Sequence, residues 1–169
     1  LFDSIEFIKN KKRNGSVKSL KNALEFAKGD WVKPMAADDV LEINYFEAIR
    51  EKIMSYKFDI LISCPSFINE ESKIIDISKN YYYDSLPLLF RIGRPLISYI
   101  IKYRMIIPSS TAIFSREVLA KVIDIRFYLI EDWPMWNLII KSRYKVLYCK
   151  KKLLKYRIHD KQITSKPKD

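Results

Sequence analysis

Hydrophobic spacing changes several times along these 169 residues, and each change marks an element. Ile5-Glu6-Phe7-Ile8 alternates as a short strand does, before a basic run over 9–13 and the turn pair Asn14-Gly15. From Ser16 onward, Val17, Leu20, Leu24 and Ala27 recur at intervals of three, four and three. That spacing predicts an amphipathic helix with Ser16 as its N-cap and Gly29 as its C-cap. An extended piece over 30–35 follows and ends in small residues and Asp38-Asp39. Ile43, Phe46, Ile49 and Ile53 mark a second helix, and the unbroken apolar run 58–64 predicts a strand buried on both faces.

Residues 69–83 turn polar and then tyrosine-rich, an irregular pattern, while 86–105 has a helical spacing broken by Pro87 and Pro95. A further strand is predicted over 109–114, feeding a helix over 115–123. Glu131-Asp132-Trp133-Pro134 opens another helix, with Pro134 at its favoured first position. Two closing strands are predicted over 145–149 and 153–157. Strands alternating with helices argue for an α/β layer fold, a mixed sheet flanked by helices, in one domain over 1–164 with a loose charged tail over 165–169. No internal repeat is present.

Composition narrows the partners. Apolar residues make up 49% of the chain and aromatics 14%, enough to bury a core. Thirty-one Lys and Arg against 20 Asp and Glu give a net charge of +11, which favours a polyanion: nucleic acid, a phosphorylated small molecule or an anionic membrane surface. Cys64 and Cys149 each sit in an apolar run and read as buried reduced thiols, which suits the cytosol. With His159 the only histidine, no zinc-spaced Cys/His cluster exists. Arg91, Arg94, Lys102 and Arg104 exclude an ordinary transmembrane helix over 86–108. The chain opens on Leu1 rather than Met, and an upstream segment is expected.

Two acidic pairs stand at predicted helix starts. Asp38-Asp39 follows a short extended piece, where hard oxygen ligands suit Mg²⁺ or Mn²⁺. Helix capping is the commoner use of such residues. Glu131-Asp132 offers a general base to a substrate hydroxyl, or simply complements a helix dipole. Six cations and no anion fall between Lys9 and Lys21, a phosphate-lining run or a solvated basic face. Tyr81-Tyr82-Tyr83 and the basic-aromatic stretch to Tyr103 could stack on bases or sugars, lie on an anionic membrane, or only pack. Arg157 can clamp a phosphate bidentately. A lone His159 is more often a plain surface or core residue than a ligand.

Taken in order, these pieces resemble a family 2 glycosyltransferase. The resemblance rests on Asn14-Gly15 through Asn22, on Ala27-Lys28-Gly29-Asp30-Trp31-Val32-Lys33-Pro34, and on Ala37-Asp38-Asp39-Val40-Leu41. Three later segments extend it: Ser109 through Glu117, Glu131-Asp132-Trp133-Pro134-Met135-Trp136, and the closing Tyr156-Arg157-Ile158-His159. Together they cover roughly residues 5–164. Ala36 stands where many members have the first Asp of Asp-x-Asp, and Lys21 where Arg is common. The family's first strands are absent, so the resemblance implies a GT-A-like, Rossmann-like sheet truncated at its N-terminus.

The resemblance implies transfer of a sugar from a UDP-, GDP- or dTDP-sugar to a saccharide or lipid-linked acceptor hydroxyl, in cell-surface polysaccharide synthesis. Asp39, with Asp38, would hold Mn²⁺ or Mg²⁺, and Asp38 would also meet the ribose or donor sugar. Asp132 would be the base and Glu131 would shape its site. Asn14, Lys21, Arg157 and His159 would bind the donor. The chain would work in the cytoplasm or at the inner face of the plasma membrane, touching it through 86–105, and an exposed sheet edge would allow a homodimer. No nucleic acid is expected. Two rival readings are a basic nucleic-acid-binding module and a non-catalytic glycosyltransferase remnant.

Overall fold

Strand β3 (Ile60–Ile68) organises the molecule, because every one of its nine residues is buried. Successive side chains of a strand point to opposite faces, so a strand buried throughout needs cover on both. In the computed structural model, which describes residues 5–12, 15–76, 99, 107–123 and 132–160, both covers are present. Ile60, Ile62 and Cys64 pack with Val118, Leu119, Met135, Trp136 and Ile139 on one side. Leu61 packs with Tyr45, Ala48 and Ile49 on the other.

The elements run α1 (Gly15–Phe26), β1 (Trp31–Val32), β2 (Val40–Leu41), α2 (Tyr45–Ser55), β3, β4 (Ile74–Ile75), a 3-10 turn (Ser109–Thr111), β5 (Ala112–Ser115), α3 (Arg116–Val122), α4 (Asp132–Lys141) and β6 (Val146–Arg157). The sheet order is β1-β5-β3-β6-β2, with β4 paired to β3. Helices α3 and α4 cover one face and α2 the other. The result is the expected mixed sheet flanked by helices. It is mixed toward the antiparallel: among the described residues only β3 and β6 run parallel. A parallel neighbour cannot be joined by a tight hairpin, and the long stretch between β3 and β6, which includes α3 and α4, makes that connection.

Several elements differ from the sequence pattern. The two closing strands are one, β6, whose pairing with β3 is irregular between Ser63 and Pro65. The slack falls where Pro65 has no N–H to give and where Lys150, Lys151 and Lys152 turn outward to water. Ile5 to Ile8 forms no strand; no strand among the described residues pairs with it, and Ile5 and Phe7 are exposed. Helix α1 starts at Gly15, whose φ of 74° turns the chain into the helix, rather than after a Ser16 cap. It stops at Phe26, short of Gly29. Pro134 is the third residue of α4, still within the first turn, where no intrahelical N–H is required. Ser115 does cap α3, accepting the Val118 amide at 3.4 Å. Both cysteines are buried and free. Tyr81-Tyr82-Tyr83 and, apart from Tyr99, the 86–105 stretch lie outside the described residues. Among those described, no helix is long and apolar enough to cross a membrane.

Candidate active site

The carboxyl ends of the two parallel strands lie side by side, because Ile68 of β3 pairs with Arg157 of β6. That end of an open α/β sheet is where ligands bind. Other segments arrive there. The β1–β2 turn, carrying Asp38 and Asp39, is drawn in by the ladder that sets Val40 opposite Lys155. The 3-10 turn Ser109–Thr111 precedes β5, which runs antiparallel to β3 with Ala112 opposite Ile62, so the turn borders the second half of β3. The start of α4 is fastened to that turn: the Ser109 amide donates to Asp132 Oδ1 at 2.9 Å.

Arg157 clasps the acidic turn. Its backbone N–H donates to Asp39 Oδ1 at 3.0 Å, and its Nε donates to the Asp38 carbonyl at 2.9 Å. Its terminal nitrogens reach the carbonyls of Asn69 (2.7 Å) and Glu70 (3.1 Å) and the Ser72 hydroxyl (3.0 Å). These bonds sew the acidic turn to the β3–β4 hairpin, where Ser72 holds a left-handed φ of 64° that non-glycine residues seldom adopt.

The two neighbouring carboxylates have different surroundings. The Asp38 side chain is 38% exposed, and its Oδ2 lies 3.0 Å from His159 Nε2. Asp39 is only 6% exposed. Its Oδ2 is buried and has no hydrogen-bond partner among the described residues. Burial pushes the Asp39 carboxyl above the ordinary carboxylate range; the Arg157 amide, the Ser110 side chain and Lys33 pull it down, and Asp38 adds to the rise. Lys33, just past β1, is the counterpart. Its Nζ donates to the carbonyls of Ser110 and, at 3.2 Å, Pro34, and stands 5.7 Å from the centre of the Tyr45 ring. Burial lowers its pKa from 10.5 to about 7, against the pull of Asp39.

Thus Asp38, Asp39, Arg157 and His159 gather at one end of the sheet, and Asp132 joins them through Ser109. Asp39 is buried, with one oxygen on the Arg157 amide and the other unpartnered among the described residues, and Asp38 presents the more accessible oxygen. Arg157 directs its side chain at the protein's own carbonyls. Lys21 stands exposed on α1, which packs against α3, and no hydrogen bond or ion pair joins it to the acidic turn among the described residues. Asn14 and Glu131 lie outside the described residues. Sequence reasoning passed over Lys33 and the 109–111 turn. The available signal was a lysine set between Trp31-Val32 and Pro34-Met35, an apolar stretch heading into the sheet.

A mixed sheet with helices on both faces, and a paired-Asp turn at the end of its parallel strands, defines a GT-A-like α/β domain. The chain belongs to glycosyl transferase family 2, whose model matches residues 1–123. It is a glycosyltransferase, of a class that takes a nucleotide-sugar donor and an acceptor. No curated protein matches it. The matched span holds the acidic turn and Ser109–Thr111 but ends before Asp132, Arg157 and His159, which the fold brings to the same place.

Divalent cations commonly serve this family. Among the described residues no three His, Cys, Asp or Glu side chains close into a metal cluster. A Mg²⁺ or Mn²⁺ ion bound together with substrate phosphates needs only one or two protein carboxylates. Half-exposed Asp38 with the His159 imidazole beside it fits that demand, and the next residue, Asp39, carries an unpartnered oxygen.

Proposed function

We propose that this chain is a metal-dependent, inverting glycosyltransferase that moves a sugar from a UDP-, GDP- or dTDP-sugar to an acceptor hydroxyl. The observation that carries the reading is the convergence of Asp38, Asp39, Arg157 and His159 at the carboxyl end of β3 and β6. Asp38, with His159, would hold Mn²⁺ or Mg²⁺. The bound cation supplies positive charge to offset what grows on the departing nucleoside diphosphate. Arg157 and Asp39 keep the turn in place.

Asp132 is the base. Its Oδ1, anchored by the Ser109 amide, orients the carboxylate. It takes the proton of the acceptor hydroxyl as that oxygen attacks the anomeric carbon and the bond to the diphosphate breaks. One carboxylate opposite the leaving group suffices for a single displacement, and a single displacement inverts the anomeric centre. The acceptor would be a saccharide or lipid-linked intermediate of a cell-surface polysaccharide, met in the cytoplasm at the inner face of the membrane.

Calorimetric titration with UDP and GDP tests the donor side. Wild type should bind one of them at least tenfold more tightly with Mn²⁺ than without, and Asp38→Asn should abolish that difference. Equal affinity with and without Mn²⁺ in wild type would sink metal dependence, and no binding of either nucleotide would count against the donor site itself.

A further inference from the structure

The two halves of the proposed site hang on different elements, the acidic turn on β1 and β2 and Asp132 on α4. A displacement reaction needs them in a fixed relation, since small errors of placement cost much of the rate. What joins them is the buried turn Ser109–Thr111. It is held from three sides: the Ser109 amide donates to Asp132 Oδ1, the Thr111 carbonyl accepts from Ser63 Oγ at 3.0 Å, and the Ser110 carbonyl accepts from Lys33 Nζ. Lys33 donates to Pro34 on its own side, so a single side-chain amino group bridges the segment leading into the acidic turn and the turn leading to Asp132.

The environment of that amino group is specific. Asp39, buried and with Oδ2 unpartnered, attracts it without a direct ion pair among the described residues, and the Tyr45 ring lies to one side. An amino group enclosed this way is unfavourable unless its N–H donors are used, and the Pro34 and Ser110 carbonyls accept from it. An apolar side chain of the same length would fill the volume and make none of these bonds.

We infer that Lys33 is a positioning residue that locks the Asp38-Asp39 turn to the Asp132-bearing end of the site by bridging Pro34 and Ser110. This rests on the glycosyltransferase reading for its functional half only. The bridging itself stands on the geometry.

The test is amide hydrogen exchange in Lys33→Met, which keeps the stem and removes the amino group. Amides of Ser109, Thr111 and Arg157, which report the turn and the Asp39 carboxylate, should exchange at least tenfold faster, while Leu61 and Ile62 in the middle of β3 stay within about twofold of wild type. Unchanged exchange at the turn overturns the inference, and so does an equal rise everywhere, which would mean a packing role alone. Should Lys33→Met not fold, Lys33→Leu, which also has no donor, is read in the same way, and unchanged turn amides again overturn it. Calorimetry with UDP, GDP and Mn²⁺ then separates the two claims. Weaker binding in a variant with a loosened turn supports the functional half. Wild-type-like binding in that variant overturns the functional half. Failure of wild type to bind either nucleotide counts against the donor reading, while the exchange result still decides the bridge.

Discussion

Strand β3 crosses two different interiors. Ile60, Leu61 and Ile62 meet aliphatic and aromatic side chains from α2, α3 and α4. Past Ile62 the strand reads Ser63, Cys64, Pro65 and Ser66 before it returns to Phe67 and Ile68. Here the buried Ser63 and Ser66 hydroxyls donate to the carbonyls of Thr111, in the buried 109–111 turn, and of Leu154. Both halves are equally shielded from water, yet they make unequal demands. In the first half, any side chain of the right volume and shape satisfies the site. In the second half, each buried polar atom needs its own partner, because leaving one unpaired costs about 1–3 kcal/mol. Stability that depends on volume and stability that depends on placement therefore adjoin along one strand, and the chemistry sits on the second kind.

The largest expected effect breaks the apolar half. Trp136 is 1% exposed, packs 5.9 Å from Phe114 between ring centroids, and donates its indole N–H to the Ile107 carbonyl at 2.6 Å. Trp136→Ala should cost roughly 3–5 kcal/mol, from lost transfer energy and the cavity left behind. Urea unfolding measures it; a loss under 1 kcal/mol would show that this face is not the core of the fold.

A smaller effect sharpens the contrast, because it belongs to the polar half and appears as a pH dependence. Lys33 has its pKa lowered by burial from 10.5 to about 7. Between those values the unfolded chain holds a proton that the folded chain has released, so stability rises with pH across that window and the gain is lost as pH falls toward 7. Asp39 carries the opposite sign. Its carboxyl is raised by burial, so its contribution is present below the ordinary carboxylate range and is lost as pH climbs through the raised value. Between pH 7 and pH 10, wild type should therefore gain on the order of 2 kcal/mol relative to Lys33→Met, which lacks the titrating group. Parallel Tm-against-pH curves for the two proteins over that range would contradict the assignment.

The same contrast explains what was legible in the chain. The apolar half announces itself: the run through residues 58–64 could only be a strand covered on both faces, and the sheet supplies both covers. Asp38, Asp39, Arg157 and His159 were visible as residue types at telling positions. Their division of labour was not, because burial of Asp39 and exposure of Asp38 depend on how β2 pairs with β6, 115 residues apart at Val40 and Lys155 and so beyond any local pattern. Lys33 was hidden for the same reason. Its partner Ser110 is 77 residues away in sequence, and a lysine among apolar residues reads locally as a surface residue. The alternation at Ile5 to Ile8 failed in the opposite way, since among the described residues no neighbouring strand offers it a ladder to join.

The smallest effect tests the boundary between the halves. Ser63 is the first polar residue of β3, 2% exposed, and its hydroxyl donates to the Thr111 carbonyl at 3.0 Å. Ser63→Ala removes one oxygen, leaves almost no cavity and takes one partner from a buried carbonyl, so it should cost about 1 kcal/mol. If volume governed this position, as it does two residues earlier, the substitution would be neutral or slightly stabilising, since alanine is the more apolar side chain. Guanidinium unfolding resolves the two. A loss near 1 kcal/mol, with the Ser109 and Thr111 amides exchanging faster, would place the boundary between Ile62 and Ser63. A neutral result would move it toward Ser66, and the 109–111 turn would then depend chiefly on its bonds to Lys33 and Asp132.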